Sequence, residues 1–482
     1  MARIGGKTVS AEQPLIAALQ RYKDERKARW HTPGHKGQAP MGLVDGASDV
    51  TEVGELTPKS HRRDPLHTSE DLMAKTFGTL RTWYSVQGAT LPVMASILAA
   101  CRPGDTVLVD RNAHRSVLSG LVLAGARPLW IYPALGPGAY VLPVPDKVRA
   151  QMIRRHKPKA VIVTNPTYDG LSASLKESVA ACQALQIPLI VDEAHGTHFF
   201  GHRGFPLSAL SQGADLVCHG THKTEPVLTQ TGLLHQNTSR VSTEQIQQAW
   251  DLLATSSPSY LLMASLDTLQ GLRQTPAYHA RWEALADAAH KVWDDLEKKD
   301  VLVLQKWWRD QGGMADPAKL TLIGTGDALL SHLRQYGEPE KADPFGVTLV
   351  LTPYDEWPVL EQAIRGIGGG MAGNVWPDLA QWPQAEMLLS PAEAMRQPRE
   401  WVPVREACGR IAAAPVTPYP PGVPVIMPGE RIDSAMISWL QSASAWCGQK
   451  TGDVQGFAPP PEGTLAKEGE QGLWVTSEVV GN

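Results

Sequence analysis

The sequence predicts an α/β fold with a mostly parallel sheet, followed by a smaller C-terminal α+β part. Between about residues 70 and 235, short apolar and β-branched runs alternate with stretches of helical spacing. Such continuously apolar runs are typical of strands that are covered on both faces of a parallel sheet. Helices between those strands imply right-handed crossover connections. After about residue 300 the pattern changes to mixed strands and helices, which indicates a second, smaller domain.

The predicted elements follow this order along the chain. A short amphipathic helix is expected near the N-terminus, where apolar residues recur at Leu15, Ile16, Leu19 and Tyr22. Strands are expected at 106–110, 160–164, 188–192, 215–220 and 231–236, with helices between them. We predict an N-terminal arm at 1–30, a large domain at 31–300, a small domain at 301–450 and a tail at 451–482. The tail is rich in Pro, Gly and Glu, and we expect it to be loose or to run as a strap over the body.

Composition excludes several classes of protein. The 482 residues include 45 Lys and Arg and 49 Asp and Glu, a formal charge of −4, so the basic excess of a nucleic-acid-binding surface is missing. The N-terminus lacks the apolar core of a signal peptide, and the apolar runs are too short to span a bilayer. Five scattered cysteines without a CxxC pair are typical of free thiols in a reducing compartment. We therefore expect a cytoplasmic protein that binds neither nucleic acid nor membrane.

Two charged residues follow predicted strands at the edge where α/β sheets bind ligands. Asp192 ends the run PLIVD, and His195 follows it closely; Lys223 comes 31 residues after Asp192, just past the run DLVCHG. Taken alone, each has an ordinary explanation as a turn or loop residue. Together, a lysine that is partly desolvated among cationic groups can form a Schiff base, and a carboxylate can keep a pyridine nitrogen protonated. Pyridoxal phosphate requires this pair of residues from a protein.

A phosphate anchor is expected nearby. Gly88, Ala89 and Thr90 open an apolar helix, whose first backbone N–H groups and dipole attract anions. His114 follows the strand at 106–110 and could stack on a planar cofactor. Each feature alone also fits an ordinary loop–helix junction or a surface histidine.

A metal site is the other reading of the histidines in this region. His195, His198, His202 and His219 lie within 25 residues of one another along the chain, but there is no HExxH motif and no paired cysteines. We therefore predict no metal.

The order of several motifs resembles that of one family. The chain contains HTPGHKG (31–37), RNAHRS (111–116), TNPTYDG (164–170), VDEAHGTHF (191–199), GTHKTEPVLTQ (220–230), TSSPSYLLMASLD (255–267) and YPPGVPVIMPGE (419–430). In this respect it resembles the ornithine/lysine/arginine decarboxylases, in particular their short, bacillus-type members, over about residues 12–445. The resemblance implies a pyridoxal-phosphate-dependent transferase-like large domain with the aspartate-aminotransferase fold.

The same resemblance implies a role for individual residues. Lys223 would hold pyridoxal phosphate as a Schiff base, Asp192 would bond the pyridine nitrogen, and His114 would stack on the ring. His195 would lie close to the ring, and His222 would be an acid–base group. The remaining implied positions are Gly88, Ala89, Thr90 and Thr221 for the cofactor, Ser256 and Ser257 in a segment that reaches the neighbouring subunit's cofactor, and Glu430 for the cationic end of the substrate.

Two positions depart from the usual pattern of that family. The phosphate loop reads Gln87-Gly88-Ala89-Thr90 where the family usually has NGST or NGTS, and Gly220 stands where it usually has Ser. Two hydroxyl groups that could contact phosphate are therefore missing. Either the backbone N–H groups and Thr90 are enough to bind the phosphate, or this chain binds the cofactor more weakly than the usual members of the family do.

The function implied by the resemblance is decarboxylation of arginine, lysine or ornithine to the corresponding amine, a precursor of polyamines. A site assembled from two subunits implies a homodimer or a higher homo-oligomer. Two alternatives stay open at this point. One is another pyridoxal phosphate reaction on an amino acid, such as transamination or a lyase step. The other is a homologue that has lost the cofactor and acts without catalysis.

Overall fold

The computed structural model describes residues 3–4, 7–8, 13–25, 33, 36, 46–59, 64–368, 371, 383–419, 423–447, 453–461 and 471–477. The chain folds into two compact units. The first comprises Met1–Ala99, Ile190–Arg203 and Leu207–Ala284, and the second comprises Ala100–Leu189, Gly204–Pro206 and Leu285–Asn482. Neither unit is continuous in sequence, so the predicted boundaries after residues 30, 300 and 450 stay predictions.

The strands, in chain order, are β1 (Arg3–Ile4), β2 (Lys7–Thr8), β3 (Arg81–Ser85), β4 (Thr106–Asp110), β5 (Arg127–Ile131), β6 (Ala160–Thr164), β7 (Leu171–Ser172), β8 (Leu189–Asp192), β9 (Leu216–His219), β10 (Gly232–Gln236), β11 (Leu302–Val303), β12 (Met314–Ala315), β13 (Lys319–Ile323), β14 (Lys341–Asp343), β15 (Gly346–Val350), β16 (Arg399–Pro403), β17 (Thr417–Tyr419), β18 (Asp453–Gln455) and β19 (Gly472–Thr476).

The helices are α1 (Pro14–Asp24), α2 (Pro65–Phe77), α3 (Thr90–Ala100), α4 (Arg115–Ala124), α5 (Asp146–His156), α6 (Lys176–Leu185), α7 (Ala209–Gln212), α8 (Thr243–Leu253), α9 (Tyr260–Leu272), α10 (Pro276–Glu297), α11 (Leu304–Asp310), α12 (Gly326–Leu333), α13 (Trp357–Arg365), α14 (Pro391–Arg396) and α15 (Ser434–Cys447).

The main sheet has seven strands in the described part of the chain. In the first unit the order is β3-β10-β9-β8, in which β8 and β9 are parallel and β10 runs antiparallel to both β9 and β3. In the second unit the order is β6-β4-β5, and both pairings are parallel. The predicted mostly parallel α/β sheet is therefore confirmed.

The central strands are buried along most of their length, which explains their apolar sequences. Leu108 in β4, Ile162 in β6, Val217 in β9 and Leu234 in β10 are each at most 1% exposed. Helices cover parallel strands on both faces, so side chains on both faces must be apolar. The predicted strands at 106–110 and 160–164 are observed with the same bounds, and the other three are slightly shorter than predicted.

The second unit also holds smaller sheets, including a four-stranded antiparallel sheet with the order β11-β13-β15-β14. The strand β19 pairs with β16, with Leu473 opposite Val402. Leu473 and Val475 are buried in an apolar cluster with Val425 and Met436. Residues 472–476 are therefore not loose, because a strand that buries two apolar side chains is held by the core, and the strap is the alternative that remains for this segment.

The predicted N-terminal helix is observed as α1 and belongs to the first unit. Leu15 and Ala18 are fully buried, and the backbone N–H of Ile16 donates to Asp267 Oδ2 at 3.0 Å. Within the described residues, no helix combines the length and the apolar character needed to cross a bilayer.

Candidate active site

Lys223 lies at the end of a 3₁₀ turn, Thr221–Lys223, that directly follows β9. Its backbone N–H donates to the Gly220 carbonyl at 2.9 Å. Its Nζ lies 2.8 Å from Nε2 of His195, which comes from the turn after β8. Because the two strands are parallel neighbours, their carboxyl ends bring these two predicted residues together. One of the two nitrogen atoms accepts the hydrogen bond, so the pair can share a proton.

Asp192 is the last residue of β8 and is only 5% exposed. Its Oδ1 accepts a hydrogen bond from the backbone N–H of Ala194 at 3.1 Å. It lies opposite Cys218, five residues before Lys223. A buried carboxylate in this place favours a cation beside it, as the predicted role with a pyridine nitrogen requires.

The predicted phosphate loop connects β3 to α3. Gly88 has a positive φ of 60°, its N–H donates to the Gln230 carbonyl at 2.7 Å, and its carbonyl accepts from the Ser85 hydroxyl at 2.8 Å. A Cβ at Gly232 would lie 2.5 Å from the Gly88 oxygen, so the first residue of β10 must be glycine for this approach. The loop leads into α3, whose first N–H groups have no partner within the helix and can bind an anion.

His222 borders the same loop, and Thr221 precedes this histidine in the chain. The Thr221 side chain is fully buried, and its Oγ1 has no hydrogen-bond partner among the described residues. Nδ1 of His222 donates to the Thr231 carbonyl at 2.7 Å, so Nε2 is the ring's other proton-binding position. A Cβ at Gly88 would lie 3.5 Å from Cε1 of His222, which places this ring against the loop.

These residues fit pyridoxal phosphate. A lysine amine, a buried carboxylate and a helix N-terminus match the groups that the cofactor needs, and the orphaned Thr221 hydroxyl can donate to a phosphate oxygen. The residues that would hold the cofactor within the first unit are Gly88, Ala89, Thr90, Asp192, His195, Thr221, His222 and Lys223.

The structure gives a physical reason for the glycine at position 220. Its N–H donates to the Ala194 carbonyl at 3.2 Å. A Cβ at this position would lie 2.9 Å from that carbonyl oxygen and 3.2 Å from Cε of Lys223. A serine here would therefore require the turn after β8 or the lysine to move.

His114, Ser256 and Ser257 are three further predicted site residues. His114 belongs to the second unit, where it is exposed and its Nδ1 accepts the Ser116 N–H at the start of α4, 3.2 Å away. Ser256 and Ser257 are exposed between α8 and α9 in the first unit. Their predicted roles, in ring stacking and toward a second subunit, stay predictions.

Glu430 is fully buried and already has a cationic partner. Its Oε2 lies 3.2 Å from Nη2 of Arg111 and accepts the Met427 N–H at 2.7 Å. Burial raises the pKa of this carboxyl, against the opposing effect of Arg111. Arg111, which the sequence reasoning did not single out, also donates to the Val425 carbonyl at 3.0 Å. The substrate role of Glu430 stays a prediction, and its observed contacts connect β4 to the segment before Glu430.

The histidines near Asp192 have separate environments. His198 stacks on Trp282 with ring centroids 4.7 Å apart, and His202 Nδ1 donates to the His198 carbonyl at 2.5 Å. His219 contacts Glu193 through Nε2 at 2.8 Å. Among the described residues, no group of three or more His, Cys, Asp or Glu side chains has the arrangement of a metal site.

Comparisons with known proteins identify the family. A sequence model of "Orn/Lys/Arg decarboxylase, major domain" matches residues 13–357, and one of the "C-terminal domain" of the same family matches residues 379–480. The chain is 30% identical to an arginine decarboxylase of Bacillus subtilis, over 89% of this chain and 93% of that relative. It is 24% identical to the lysine decarboxylase LdcA of Pseudomonas aeruginosa, over 97% and 80% of the two chains. The crystal structure of the lysine decarboxylase LdcF of Francisella novicida has the same fold, with a TM-score of 0.82 at 18% identity over 96% of this chain and 81% of that chain.

Proposed function

Because the chain belongs to the Orn/Lys/Arg decarboxylase family, we propose that it removes the α-carboxyl group of a basic L-amino acid with the help of pyridoxal 5'-phosphate. The products are CO2 and the corresponding amine. The observation that carries this proposal is the contact between Lys223 Nζ and His195 Nε2 at 2.8 Å, next to the buried Asp192.

When bound, the cofactor supplies an electron-withdrawing ring that accepts the electron pair of the breaking bond to the carboxylate. Lys223 is the attachment point for the cofactor. Asp192 holds the ring nitrogen in its protonated form, since the charge of a buried carboxylate is best compensated by a cation. Thr221 and the first turn of α3 bind the phosphate.

Two groups can supply the proton that replaces the lost carboxyl group. Lys223 shares a hydrogen bond with His195, so a proton can be held at Nζ. Nδ1 of His222 keeps its proton because it donates to the Thr231 carbonyl, so Nε2 is the position that can take up or release a proton. Each group therefore presents one defined position for proton transfer.

Among the three basic amino acids, arginine is the proposed substrate, because relatives of similar length at about 30% identity are named arginine decarboxylase. The product is then agmatine, a polyamine precursor. We also propose a cytoplasmic homodimer or larger homo-oligomer, in which Ser256 and Ser257 of one chain face the cofactor of the other. Their exposure between α8 and α9 supports this.

A product assay tests the proposal. The purified protein is incubated with pyridoxal phosphate and, separately, with arginine, lysine and ornithine, and products are identified by mass spectrometry. We expect agmatine from arginine, with no keto acid. A keto acid would show transamination, and a protein with bound cofactor that converts none of the three would contradict the proposed substrate class. A protein that stays colourless with added cofactor would contradict the proposed chemistry.

A further inference from the structure

A row of buried polar side chains crosses the sheet behind the candidate site. Glu193 Oε2 lies 2.8 Å from Nε2 of His219, and Nδ1 of His219 lies 3.1 Å from Nε2 of His235. Nδ1 of His235 lies 2.8 Å from the Thr82 hydroxyl. All four residues are fully buried. We call these four residues the Glu193 chain.

The Glu193 chain takes its side chains from the residue that follows β8 and then from β9, β10 and β3 in that order. Thr82 lies opposite His235 in the β3–β10 pairing, and His219 ends β9. Asp192 lies opposite Cys218, the residue before His219, so side-chain alternation places Asp192 and His219 on opposite faces of the sheet. The Glu193 chain therefore supports the strand ends from the face opposite Asp192, where Phe77 of α2 packs on His219 and His235.

The donors and acceptors of the Glu193 chain match in one direction along its whole length. The carboxyl O–H of Glu193 donates to His219, Nδ1–H of His219 donates to His235, and Nδ1–H of His235 donates to Thr82. The row continues from Thr82 to the Thr79 hydroxyl at 3.2 Å and ends at the Ala74 carbonyl. Each neutral imidazole then donates once and accepts once.

The protonation states agree with this direction. Burial raises the pKa of the Glu193 carboxyl to about 8. Burial also lowers the pKa of His219 to about 3 and holds that of His235 well below its usual value. All three groups are therefore neutral at pH 7, and no buried charge has to be compensated.

Glu193 also fixes the turn that carries two site residues. Its Oε1 accepts the Ala209 N–H at 2.7 Å, and its Oε2 accepts the Ser208 hydroxyl at 2.8 Å. Its backbone N–H donates to the Cys218 carbonyl, and its carbonyl accepts the Gly196 N–H at 2.9 Å. Asp192 precedes Glu193, and His195 lies within the same turn. A displacement of the Glu193 side chain therefore moves Asp192 and His195 as well, because only one or two peptide units separate them from Glu193.

We propose that Glu193 is a positioning residue, which uses the Glu193 chain to hold Asp192 and His195 in place relative to Lys223. This inference rests on the proposed function, since those three residues are the ones assigned to the cofactor. An apolar side chain could fill the same volume, but it would not fix the spacing of the strand ends. A fully satisfied polar network specifies one arrangement, because each alternative leaves a buried group unpaired.

Two matched pairs of substitutions test the proposal. Glu193→Gln keeps a carbonyl for Ala209 and an N–H for His219, whereas Glu193→Leu removes both. His235→Gln keeps an acceptor for His219, whereas His235→Leu removes it and is the second test if Glu193→Leu does not fold. Asp215→Asn is the control, since Asp215 is equally buried but precedes the other end of β9, where it pairs with Arg240.

Amide hydrogen exchange over residues 192–200 and 218–224 gives a readout that needs no cofactor. We expect faster exchange there in both Leu variants, and wild-type exchange there in both Gln variants and in Asp215→Asn. With substrate, we expect the Leu variants to lose about tenfold in kcat, with KM within about twofold, as is typical when the outer partners of site residues are lost. The Gln variants are expected to restore kcat.

Wild-type exchange rates in both Leu variants would overturn the positioning role. So would exchange over these residues, or a loss of kcat, as large in Asp215→Asn as in the Leu variants. So would Gln variants as impaired as the Leu variants, because shape or general stability would then explain the effect. Failure of the proposed function is recognised separately. In that case the wild-type protein forms no amine, while the exchange comparison still decides the role of Glu193.

Discussion

At the scale of single residues, Thr221 is where the fit of the cofactor can be tested most simply. Its buried hydroxyl has no partner among the described residues, so Thr221→Val should leave the stability of the cofactor-free protein unchanged or higher. If the hydroxyl donates to phosphate, its removal costs about 1.5–3 kcal/mol, equivalent to roughly 10–160-fold in the dissociation constant. Fluorescence titration with pyridoxal phosphate measures this constant.

Thr197→Val is the matched control for that titration. Its hydroxyl is likewise buried without a described partner, but no phosphate role is assigned to it. We expect its cofactor affinity to stay within about twofold of the wild type. Equal affinities in the two variants would remove Thr221 from the phosphate site.

The site residues were predictable from sequence where each follows a buried strand. Asp192, His195 and Lys223 were placed at strand ends by the apolar runs before them, and the contact between His195 and Lys223 follows from the pairing of those strands. Glu193 was missed because its neighbour Asp192 carries the recognisable chemistry. The partner of Glu430 was missed because Arg111 lies 319 residues away along the chain, and local pattern does not reveal such a pair.

At the scale of elements, the buried pair of Arg111 and Glu430 connects β4 to the segment at 423–430. Glu430→Gln leaves the guanidinium buried without a counter-charge, which costs about 3–5 kcal/mol of unfolding free energy. Denaturant unfolding measures the loss. Glu338→Gln is the control, because the Arg334–Glu338 pair is exposed and its loss costs at most about 1 kcal/mol. A stability loss no larger than that of the control would contradict the account of this pair, whereas a raised KM for the amino acid would support the substrate role predicted for Glu430.

The strand β19 is a second element whose contribution can be measured. Leu473 is 1% exposed in the apolar cluster of the second unit, so Leu473→Ala should cost about 2–5 kcal/mol of unfolding free energy. Leu123→Ala, at a side chain that is 52% exposed, should cost less than about 0.5 kcal/mol. Equal costs in thermal unfolding would mean that the tail contributes no packing.

Sequence pattern predicted five strands of the main sheet, but not the pairing of β16 with β19. Strands such as 106–110 and 160–164 are short, largely apolar and β-branched runs bounded by turns, which favours buried strands over helices. The strand at 472–476 follows a stretch rich in Gly, Pro and Glu, and it becomes a strand because β16 supplies hydrogen bonds and a buried face. Local composition contains no information about a partner about 70 residues earlier in the chain.

At the scale of the whole molecule, buried titratable groups determine how stability depends on pH. Burial lowers the pKa of His202 and His219 to about 3. Their contribution to the free energy of unfolding is therefore complete above 6.5, their pKa in the unfolded chain, and is lost as the pH falls toward 3. Burial raises the pKa of Glu193 to about 8. Its contribution to the free energy of unfolding is therefore complete below about pH 4.5, its pKa in the unfolded chain, and is lost as the pH rises through 8. We therefore expect the melting temperature to be highest near neutral pH and to fall on both sides.

Glu193→Gln separates the two limbs of this profile. It cannot ionise, so the fall between pH 7 and 8.5 should disappear while the fall in acid remains. Differential scanning calorimetry at constant ionic strength measures both limbs. A variant with the same alkaline fall as the wild type would contradict the assignment of that limb to Glu193.

The measurement that tests the central claim most directly is the location of the cofactor on the chain. The protein is incubated with pyridoxal phosphate, reduced with borohydride, digested and mapped by mass spectrometry, with Lys223→Ala as the control. We expect one phosphopyridoxyl group, on Lys223, and none in Lys223→Ala, which should also form no amine from arginine. A label on another lysine, or equal labelling of the variant, would contradict the assignment of Lys223 and the active site built around it.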